Sequence, residues 1–306
     1  MSQNEKITKI EANIYYLDSR KLSNFGVSGV YFIIGEGITL IETGTTLNAL
    51  YILEAVRELG FEEKDIRNAI VTHIHLDHSG ATGWLARHLP RLKVYVHERG
   101  LEHLHDPSKL IKSAKAVYGD LETINIMHGE ILPVPKENLI PVKDFELDAG
   151  GGVKLKIFDA PGHSYHHLCI HEPQSGCLFS GEALGHYKPE TGRLSLAVAP
   201  PGFDYEATLE TIKKIEEYNP RIICFSQFGQ HHEPTLVIEK AQHQVRQYYD
   251  VIRNQLRRGL NTEEIIKEIG KTLSGEKKYD IEKTDSMFRS IVLGYQIYFS
   301  RTGKLQ

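Results

Sequence analysis

The sequence has few cysteines, and their number is odd. Cys169, Cys177 and Cys224 are the three among 306 residues, so at least one is left unpaired. Each lies in a strand-like apolar stretch, which predicts buried, packed thiols rather than catalytic ones. Unpaired thiols fit a reducing compartment, and we therefore expect a cytoplasmic protein.

The chain also lacks a long hydrophobic run and an excess of charge of either sign. No segment reaches the roughly 18 consecutive apolar residues that a membrane span needs, and residues 1–9 are polar without an apolar core. Acidic and basic residues are mixed and leave a formal net charge of -4. We expect a small neutral or anionic substrate, with no nucleic acid and no membrane as partner.

The sequence does contain enough apolar residues for a large core, with 41% hydrophobic content. Strand-like runs alternate with helical patterns as far as residue 234, whereas residues 235–306 show helical spacing throughout. This order predicts a layered α/β domain over 1–234 and a helical C-terminal extension over 235–306. We expect the extension to pack on the domain and wall its cleft, with a homodimer interface as the second choice. Residues 98–127 read as helical or irregular, and this insertion is long enough to cover a cleft.

Histidines and carboxylates cluster at three places along the chain, each of them after a predicted strand. The residues concerned are His73, His75, Asp77 and His78 after the predicted strand Ala69-Ile70-Val71, His163 after Pro161-Gly162, and Glu182 after Ser180-Gly181. Imidazole and carboxylate together suit zinc, iron and manganese, whereas calcium is bound by oxygens and structural zinc usually by thiolates. The clusters therefore predict a metal site.

The spacing within the first cluster predicts that one loop serves two ions. Side chains alternate along an extended strand end, so His73 and His75 can reach one ion, and Asp77 and His78 follow where the chain turns. Glu182 could bridge both ions. Two cations about 3.5–4 Å apart can share a hydroxide and polarise the group under attack, which indicates hydrolysis by a metal-bound hydroxide.

The order His-x-His-x-Asp-His, Pro-Gly-His-Ser and Ser-Gly-Glu resembles the metallo-β-lactamase superfamily. The similarity extends over about residues 7–232 and includes Leu40-Ile41-Glu42-Thr43-Gly44. It implies an αβ/βα four-layer sandwich with two divalent ions at one edge between the sheets; zinc is favoured, with iron and manganese as alternatives. It also implies the ligands: His73, His75 and His163 for the first ion, Asp77 and His78 for the second, and Glu182 between them.

Three positions depart from the superfamily's pattern. Glu182 and Glu42 stand where aspartate is usual, and Glu42 is expected to support the metal loop as a hydrogen-bond partner. Gln227 stands where a histidine ligand is expected. Either the second ion is held without a ligand there, or His231 or His232 completes its coordination.

The resemblance implies a hydrolase that cleaves a thioester, lactone or related carboxylic ester, in which Asp77 could also receive a proton as the tetrahedral intermediate collapses. His186 or Tyr187 could donate a hydrogen bond to the oxyanion, or simply pack beside the loop. Two alternatives stay open. One is a mononuclear iron sulfur dioxygenase on the same fold, and the other is a non-catalytic metal-binding sensor module.

Overall fold

The computed structural model describes residues 7–18, 28–188, 191–227, 229–273 and 281–305. Residues 1–6 of the polar N-terminal segment lie outside the described residues. Within the described ranges, no helix combines the length and the apolar character that crossing a membrane would require.

Seven strands form the first sheet, and their spatial order is their order in the chain. They are β1 (Ile7–Glu11), β2 (Ile14–Asp18), β3 (Gly29–Ile34), β4 (Ile38–Ile41), β5 (Ile66–Ile70), β6 (Lys93–His97) and β7 (Leu139–Val142). Neighbours pair antiparallel as far as β4 and parallel from there to β7. Parallel pairing needs crossover connections, and these carry the helices of the first half.

The second sheet has six strands. A separate two-stranded sheet is formed by the segment of chain between two strands of the second sheet. The strands are β8 (Phe145–Gly150), β9 (Val153–Asp159), β10 (Leu168–Glu172), β11 (Cys177–Gly181), β12 (His186–Lys188), β13 (Arg193–Ser195), β14 (Ile222–Phe225) and β15 (Gln230–His231). The six-stranded order is β15-β14-β11-β10-β9-β8, and β12 pairs with β13. The predicted hairpin is confirmed, since Ile170 of β10 lies opposite Phe179 of β11.

Ten α-helices connect or cover the sheets in the described part of the chain. They are α1 (Ala49–Glu58), α2 (Leu76–Ser79), α3 (Thr82–His88), α4 (Leu101–His105), α5 (Ser108–Tyr118), α6 (Leu121–His128), α7 (Tyr205–Glu217), α8 (Pro234–Arg257), α9 (Thr262–Leu273) and α10 (Ile281–Thr302). The insertion, predicted as helical or irregular, forms α4, α5 and α6. The helical spacing of apolar residues predicted after residue 234 corresponds to α8, α9 and α10.

Three clusters of buried apolar side chains separate four layers. The first lies between α1, α3 and the first sheet. The second lies between the two sheets, where the rings of Tyr31 and Phe179 are 5.0 Å apart. The third lies between the second sheet and α7, α8 and α10. Because a strand presents alternate residues to opposite faces, Tyr31 and Phe32 of β3 enter different clusters. The predicted αβ/βα sandwich is confirmed.

The C-terminal helices share the third cluster with the sandwich. Val245 of α8 and Tyr295 of α10 are fully buried there, together with Ile223 of β14. The hydroxyl of Tyr295 donates to the carbonyl of Val245 at 2.7 Å, which ties the two long helices together. The apolar faces of these helices are therefore covered within the chain, while the boundary at residue 234 and the homodimer stay predictions.

Candidate metal centre

The segment after β5 bends instead of continuing as an extended strand. Bends fall at Thr72, His73 and His75, and α2 begins directly after His75. His73 Nε2 and His75 Nδ1 nevertheless lie 2.9 Å apart. The bends, rather than the alternation expected of a strand end, bring these imidazoles together, and the first turn of α2 carries Asp77 and His78.

Four side chains from three segments converge on one point. His163 Nε2 lies 3.2 Å from His75 Nδ1, and Glu182 Oε2 lies 2.8 Å from His163 Nε2 and 3.5 Å from His73 Nε2. One ligand atom from each of the four is within 4.8 Å of every other. Three nitrogens and a carboxylate oxygen at such spacing could hold a divalent transition metal.

Two glycines, one before His163 and one before Glu182, allow the turns there to pack closely against neighbouring residues. Gly162 has a φ of +142°, and a Cβ there would meet the Cα of Thr208 at 2.6 Å. Gly181 has a φ of +55°, and a Cβ there would meet Nε2 of His167 at 2.5 Å. Any side chain at either position would displace the residue that follows it.

A second set of ligand atoms lies beside the first. His78 Nε2 is 3.7 Å from Asp77 Oδ2 and 3.8 Å from Glu182 Oε2. The His78 side chain is 2% exposed, and within the described part of the chain its Nε2 has no hydrogen-bond partner. A buried nitrogen of this kind normally has a partner. Because it faces two carboxylates, a cation between them fits the residues present.

Glu42 holds two of the histidines in the tautomer that a ligand needs. His78 Nδ1 donates to Glu42 Oε1 at 3.0 Å, and the hydroxyl of Thr72 donates to the same oxygen at 2.5 Å. Since the Thr72 hydroxyl has given its only proton, it accepts from His73 Nδ1 at 2.9 Å. Both rings therefore direct Nε2 into the centre. Ser226 donates to Glu42 as well, at 2.7 Å. Glu42 is thus a hydrogen-bond partner of the metal loop, as the sequence predicted.

His163 is fixed in the same way by the backbone. Its Nδ1 donates to the carbonyl of Ala197 at 3.1 Å, so Nε2 carries the lone pair that faces His75 and Glu182. Three of the four histidines in the centre are thus anchored through Nδ1. His75 differs, because its Nδ1 is the atom that faces inward.

Burial favours neutral imidazoles at His73 and His75. Burial lowers the pKa of His73 well below its usual range and that of His75 to about 4, so both are neutral at pH 7, the form that binds metals. Burial alone would raise the pKa of Glu182, but His163 and His186 hold it well below its ordinary value. This carboxylate is therefore anionic.

His78 behaves differently because carboxylates surround it. Burial lowers its pKa, but the charges of Asp77 and Glu42 outweigh that effect and raise the pKa to about 10. The same negative field that favours a proton on His78 favours a metal cation beside it. A metal ion at Nε2 would take the place of that proton.

The geometry agrees with a comparison of the sequence with protein families. The sequence model of the metallo-beta-lactamase superfamily matches residues 24–227, more than half of the chain. The chain belongs to the metallo-beta-lactamase superfamily. It is a metallo-hydrolase of this superfamily, with histidine and glutamate groups that could hold a metal ion.

An archaeal member of the superfamily is similar in both sequence and structure. The metallo-beta-lactamase fold-containing protein ST1585 of Sulfurisphaera tokodaii is 26% identical over 207 residues, which are 66% of this chain and 73% of that protein. The crystal structure of ST1585, described as from Sulfolobus tokodaii, has a TM-score of 0.67 at 20% identity and covers 94% of this chain and 99% of the other. The structural similarity to ST1585 thus extends into the helical C-terminal part.

Two further relatives have names that state a reaction. The atrochrysone carboxyl ACP thioesterase of Pseudocercospora fijiensis is 23% identical over 157 residues, which are 51% of this chain and 37% of that protein. The hydroxyacylglutathione hydrolase of Maricaulis maris is 34% identical over 73 residues, which are 22% of this chain and 28% of that protein. The similarity therefore spans less than half the length of either protein.

The other carboxylate oxygen of Glu182, Oε1, contacts two side chains. His186 Nε2 forms a very close contact with Glu182 Oε1, and Gln227 Nε2 donates to the same oxygen at 3.4 Å. Gln227 thus supports the carboxylate from the position where a histidine ligand was expected. The role of His186 was not foreseen beyond an oxyanion donor, although its place four residues after Glu182 was a signal for it.

His231, in β15, and His232, directly after it, were the alternative ligands for the second ion. The ring of His231 packs against Tyr187 at 4.2 Å between centroids, and its Nδ1 accepts a hydrogen bond from the backbone of Glu233 at 3.0 Å. His232 is exposed. These contacts favour the first of the two expectations, a second ion without a ligand from His231 or His232.

A cavity of about 590 Å³ opens over the centre. Its floor includes His75, Asp77 and Glu182, and its walls come from α5, from residues 196–201 and from α10. Tyr118, at the end of α5, also lines the cavity, and burial and the charge of Asp77 raise its pKa to about 12. The insertion and the C-terminal extension both wall the cleft, as the sequence predicted.

Proposed function

We propose that this hydrolase binds two divalent cations, zinc by preference, and cleaves a thioester, lactone or related carboxylic ester. The first ion would be held by His73, His75 and His163, the second by Asp77 and His78, and Glu182 Oε2 would serve both. The observation that carries the proposal is the buried Nε2 of His78, which has no hydrogen-bond partner in the described chain and faces two carboxylates.

The residues of the chain would bind, orient and transfer protons around that pair. When bound, two divalent cations lower the pKa of a water nucleophile and polarise the carbonyl under attack. Asp77 is 23% exposed and lies on the floor of the cavity, so it can accept a proton from the attacking water and pass it to the leaving group. Glu42 and the Ala197 carbonyl keep the imidazoles in place.

Thioesters are favoured among the carboxylic esters. The names of two relatives, an ACP thioesterase and a hydroxyacylglutathione hydrolase, describe thioester cleavage by those proteins. The apolar walls of the cavity suit an acyl group. Both observations support the proposal, and neither identifies the acyl group.

One observation favours the alternative of a mononuclear iron sulfur dioxygenase. Glu182 Oε2 is closer to His163 and His73 than to His78, so His73, His75, His163 and Glu182 could hold a single ion. A mononuclear iron protein would take up oxygen with a persulfide substrate and would bind one iron per chain. A non-catalytic sensor would bind metal and turn over neither substrate.

We also propose a small-molecule substrate and a reducing, cytoplasmic setting, with no nucleic-acid or membrane partner. All three cysteines are free and buried, which confirms their predicted packing role and suits a reducing compartment. A cavity of about 590 Å³ is of the size that binds small molecules.

The test measures thioester hydrolysis by the zinc-loaded protein and its variants. The quantity that is monitored is the release of the free thiol. We expect the wild type to hydrolyse thioesters. We expect the activity of His75→Ala and of Asp77→Ala to fall by more than the roughly 10–100-fold that loss of a supporting hydrogen bond costs. His232→Ala is the control, because His232 is exposed. Inactivity of the fully metal-loaded wild type on thioesters, lactones and esters would overturn the proposal.

A further inference from the structure

The two carboxylate oxygens of Glu182 lie in different surroundings. Oε2 faces the centre, where it is 2.8 Å from Nε2 of His163, 3.5 Å from Nε2 of His73 and 3.8 Å from Nε2 of His78. These are nitrogens of the proposed metal ligands. Oε2 therefore has the surroundings of a metal-binding oxygen.

Oε1 of Glu182 contacts a different pair of side chains, neither of which is a proposed ligand. His186 Nε2 lies in very close contact with it, and Gln227 Nε2 donates to it at 3.4 Å. Because the carboxylate is anionic and can only accept, the nitrogen of His186 that faces it carries the hydrogen. An ionised carboxylate has about four lone-pair sites on its two oxygens, so these two donors occupy those of Oε1.

A tight turn and the hairpin of β12 and β13 place His186 beside this oxygen. The backbone of Gly185 donates to the carbonyl of Glu182 at 3.0 Å, and His186 then begins β12 opposite Ser195 of β13. Gly185 has a φ of +81°, and a Cβ there would meet the carbonyl oxygen of Ser195 at 2.3 Å. Glycine therefore allows the strand to start directly after the turn.

The same hairpin also fixes a histidine of the centre. Ala197, shortly after β13, accepts the hydrogen bond from Nδ1 of His163 at 3.1 Å. The hairpin and the residue after it therefore hold two members of the centre, His163 through its ring nitrogen and Glu182 through Oε1. Gln227, which follows β14, approaches Glu182 from another part of the second sheet.

We infer that His186 and Gln227 are positioning residues that hold Oε1 of Glu182 out of metal coordination, so that Glu182 binds through Oε2 alone. This inference rests on the metal binding in the proposed function. Glutamate has one rotatable bond more than the aspartate usual at this position, so its carboxylate could turn and bind one ion through both oxygens. The two donors oppose that rotation, and the coordination position that Oε1 would take stays open to substrate and water.

The experiment records the visible absorption of the cobalt-loaded protein, because Zn²⁺ is d¹⁰ and has no ligand-field bands. The ligand-field bands of Co²⁺ weaken as its coordination number rises. His186→Phe removes the donor and keeps a ring, so we expect the released Oε1 to bind as well and the molar absorptivity to fall. His186→Gln places an N–H near the position of imidazole Nε2 and should restore the wild-type spectrum.

Two further variants complete the series. Gln227→Leu removes the second donor and should lower the absorptivity less than His186→Phe does, because a contact of 3.4 Å is a weaker hydrogen bond. His171→Phe is the matched control and should keep the wild-type spectrum, because His171 is a buried histidine that packs against Tyr218 on a strand without proposed ligands. Far-UV circular dichroism checks the fold of each variant, and Gln227→Leu carries the test if His186→Phe does not fold.

The outcomes separate this inference from the proposed function. Wild-type spectra in His186→Phe and Gln227→Leu, or an equal loss in His171→Phe, would overturn the positioning role even if thioesters are hydrolysed. The expected spectral losses in a protein that hydrolyses no ester would support the positioning role and overturn the proposed activity. A wild-type protein that takes up no cobalt would overturn both.

Discussion

Glu42 is a single residue on which the geometry of both proposed metal positions depends. It is buried at 1% exposure and has a φ of +67°, a conformation that side chains other than glycine seldom adopt. Its carboxylate accepts hydrogen bonds from His78, Thr72 and Ser226. Such strain persists where the surrounding contacts fix it, and here those contacts orient metal-facing imidazoles.

Glu42→Gln should weaken metal binding while the fold is kept. The amide has the shape of the carboxylate, but His78, Thr72 and Ser226 all donate to Glu42 Oε1 while the backbone of Thr72 donates to Oε2. An amide has one accepting oxygen instead of two, so its NH₂ group must face one of these donors, and it carries no negative charge. We expect metal affinity to fall by roughly 10–100-fold, measured by competition with a chromogenic chelator, with an unchanged far-UV circular dichroism spectrum. Glu36→Gln is the control, because Glu36 is a surface partner of Arg67; equal affinities in the two variants would contradict the role of Glu42.

Gly162→Ala should both destabilise the protein and displace His163. The added Cβ would meet the backbone of Thr208 at 2.6 Å, and the φ of +142° is unfavourable for alanine. We expect a loss of about 1–3 kcal/mol in the free energy of unfolding, measured by urea denaturation, and weaker metal binding. Gly152→Ala isolates the steric part, because Gly152 also has a positive φ but nothing within 4 Å of its Cβ.

If Gly152→Ala lost as much stability and metal affinity as Gly162→Ala, close contact would not be the reason for glycine before His163.

At the scale of elements, the helices and strands were largely predictable because their apolar periods are long and regular. The spacing through Val245 and Ile252 corresponds to α8, and the alternation of Val153, Leu155 and Ile157 to β9. The loop after β5 was predicted less well. A two-residue alternation suggested an extended strand end, but the start of α2 bends the chain at His73 and His75. Local periodicity does not report such a bend.

Tyr295→Phe tests how α10 is joined to α8. The hydroxyl of Tyr295 is buried and donates to the Val245 carbonyl at 2.7 Å. Its removal should lower the free energy of unfolding by about 1 kcal/mol, seen as a lower urea midpoint with an unchanged slope. Tyr165→Phe is the matched control, because the Tyr165 side chain is 46% exposed. Identical midpoints for both variants would show that this hydrogen bond adds nothing to stability.

At the scale of the whole molecule, the four layers followed from the motifs and their resemblance to a family, whereas the contacts between distant segments did not. β11 and β14 pair in parallel, so their ends bring Glu182 close to Ser226 and Gln227. The relay from Glu42 through Thr72 to His73 likewise joins separate strands. Contacts of this kind depend on how the sheets assemble, and no single stretch of sequence encodes them.

Truncation after Glu233 should not yield a folded domain. It would remove α8 and α10 and expose the buried side of the third apolar cluster, including Ile212, Ile223 and Phe225. We expect aggregation in size-exclusion chromatography and loss of a cooperative thermal transition. A monomeric 1–233 fragment with a cooperative transition would show that the C-terminal helices are dispensable to the fold and would favour an independent domain at the predicted boundary.

The central claim is that imidazoles and carboxylates from three separate segments of the chain hold two divalent ions. Its most direct test is the zinc content of the dialysed protein, measured by inductively coupled plasma mass spectrometry beside Asp77→Ala and His163→Ala. The account predicts two zinc ions per chain in the wild type and at most one in each variant. A wild-type protein that retains one ion per chain or fewer after zinc loading at neutral pH would contradict it.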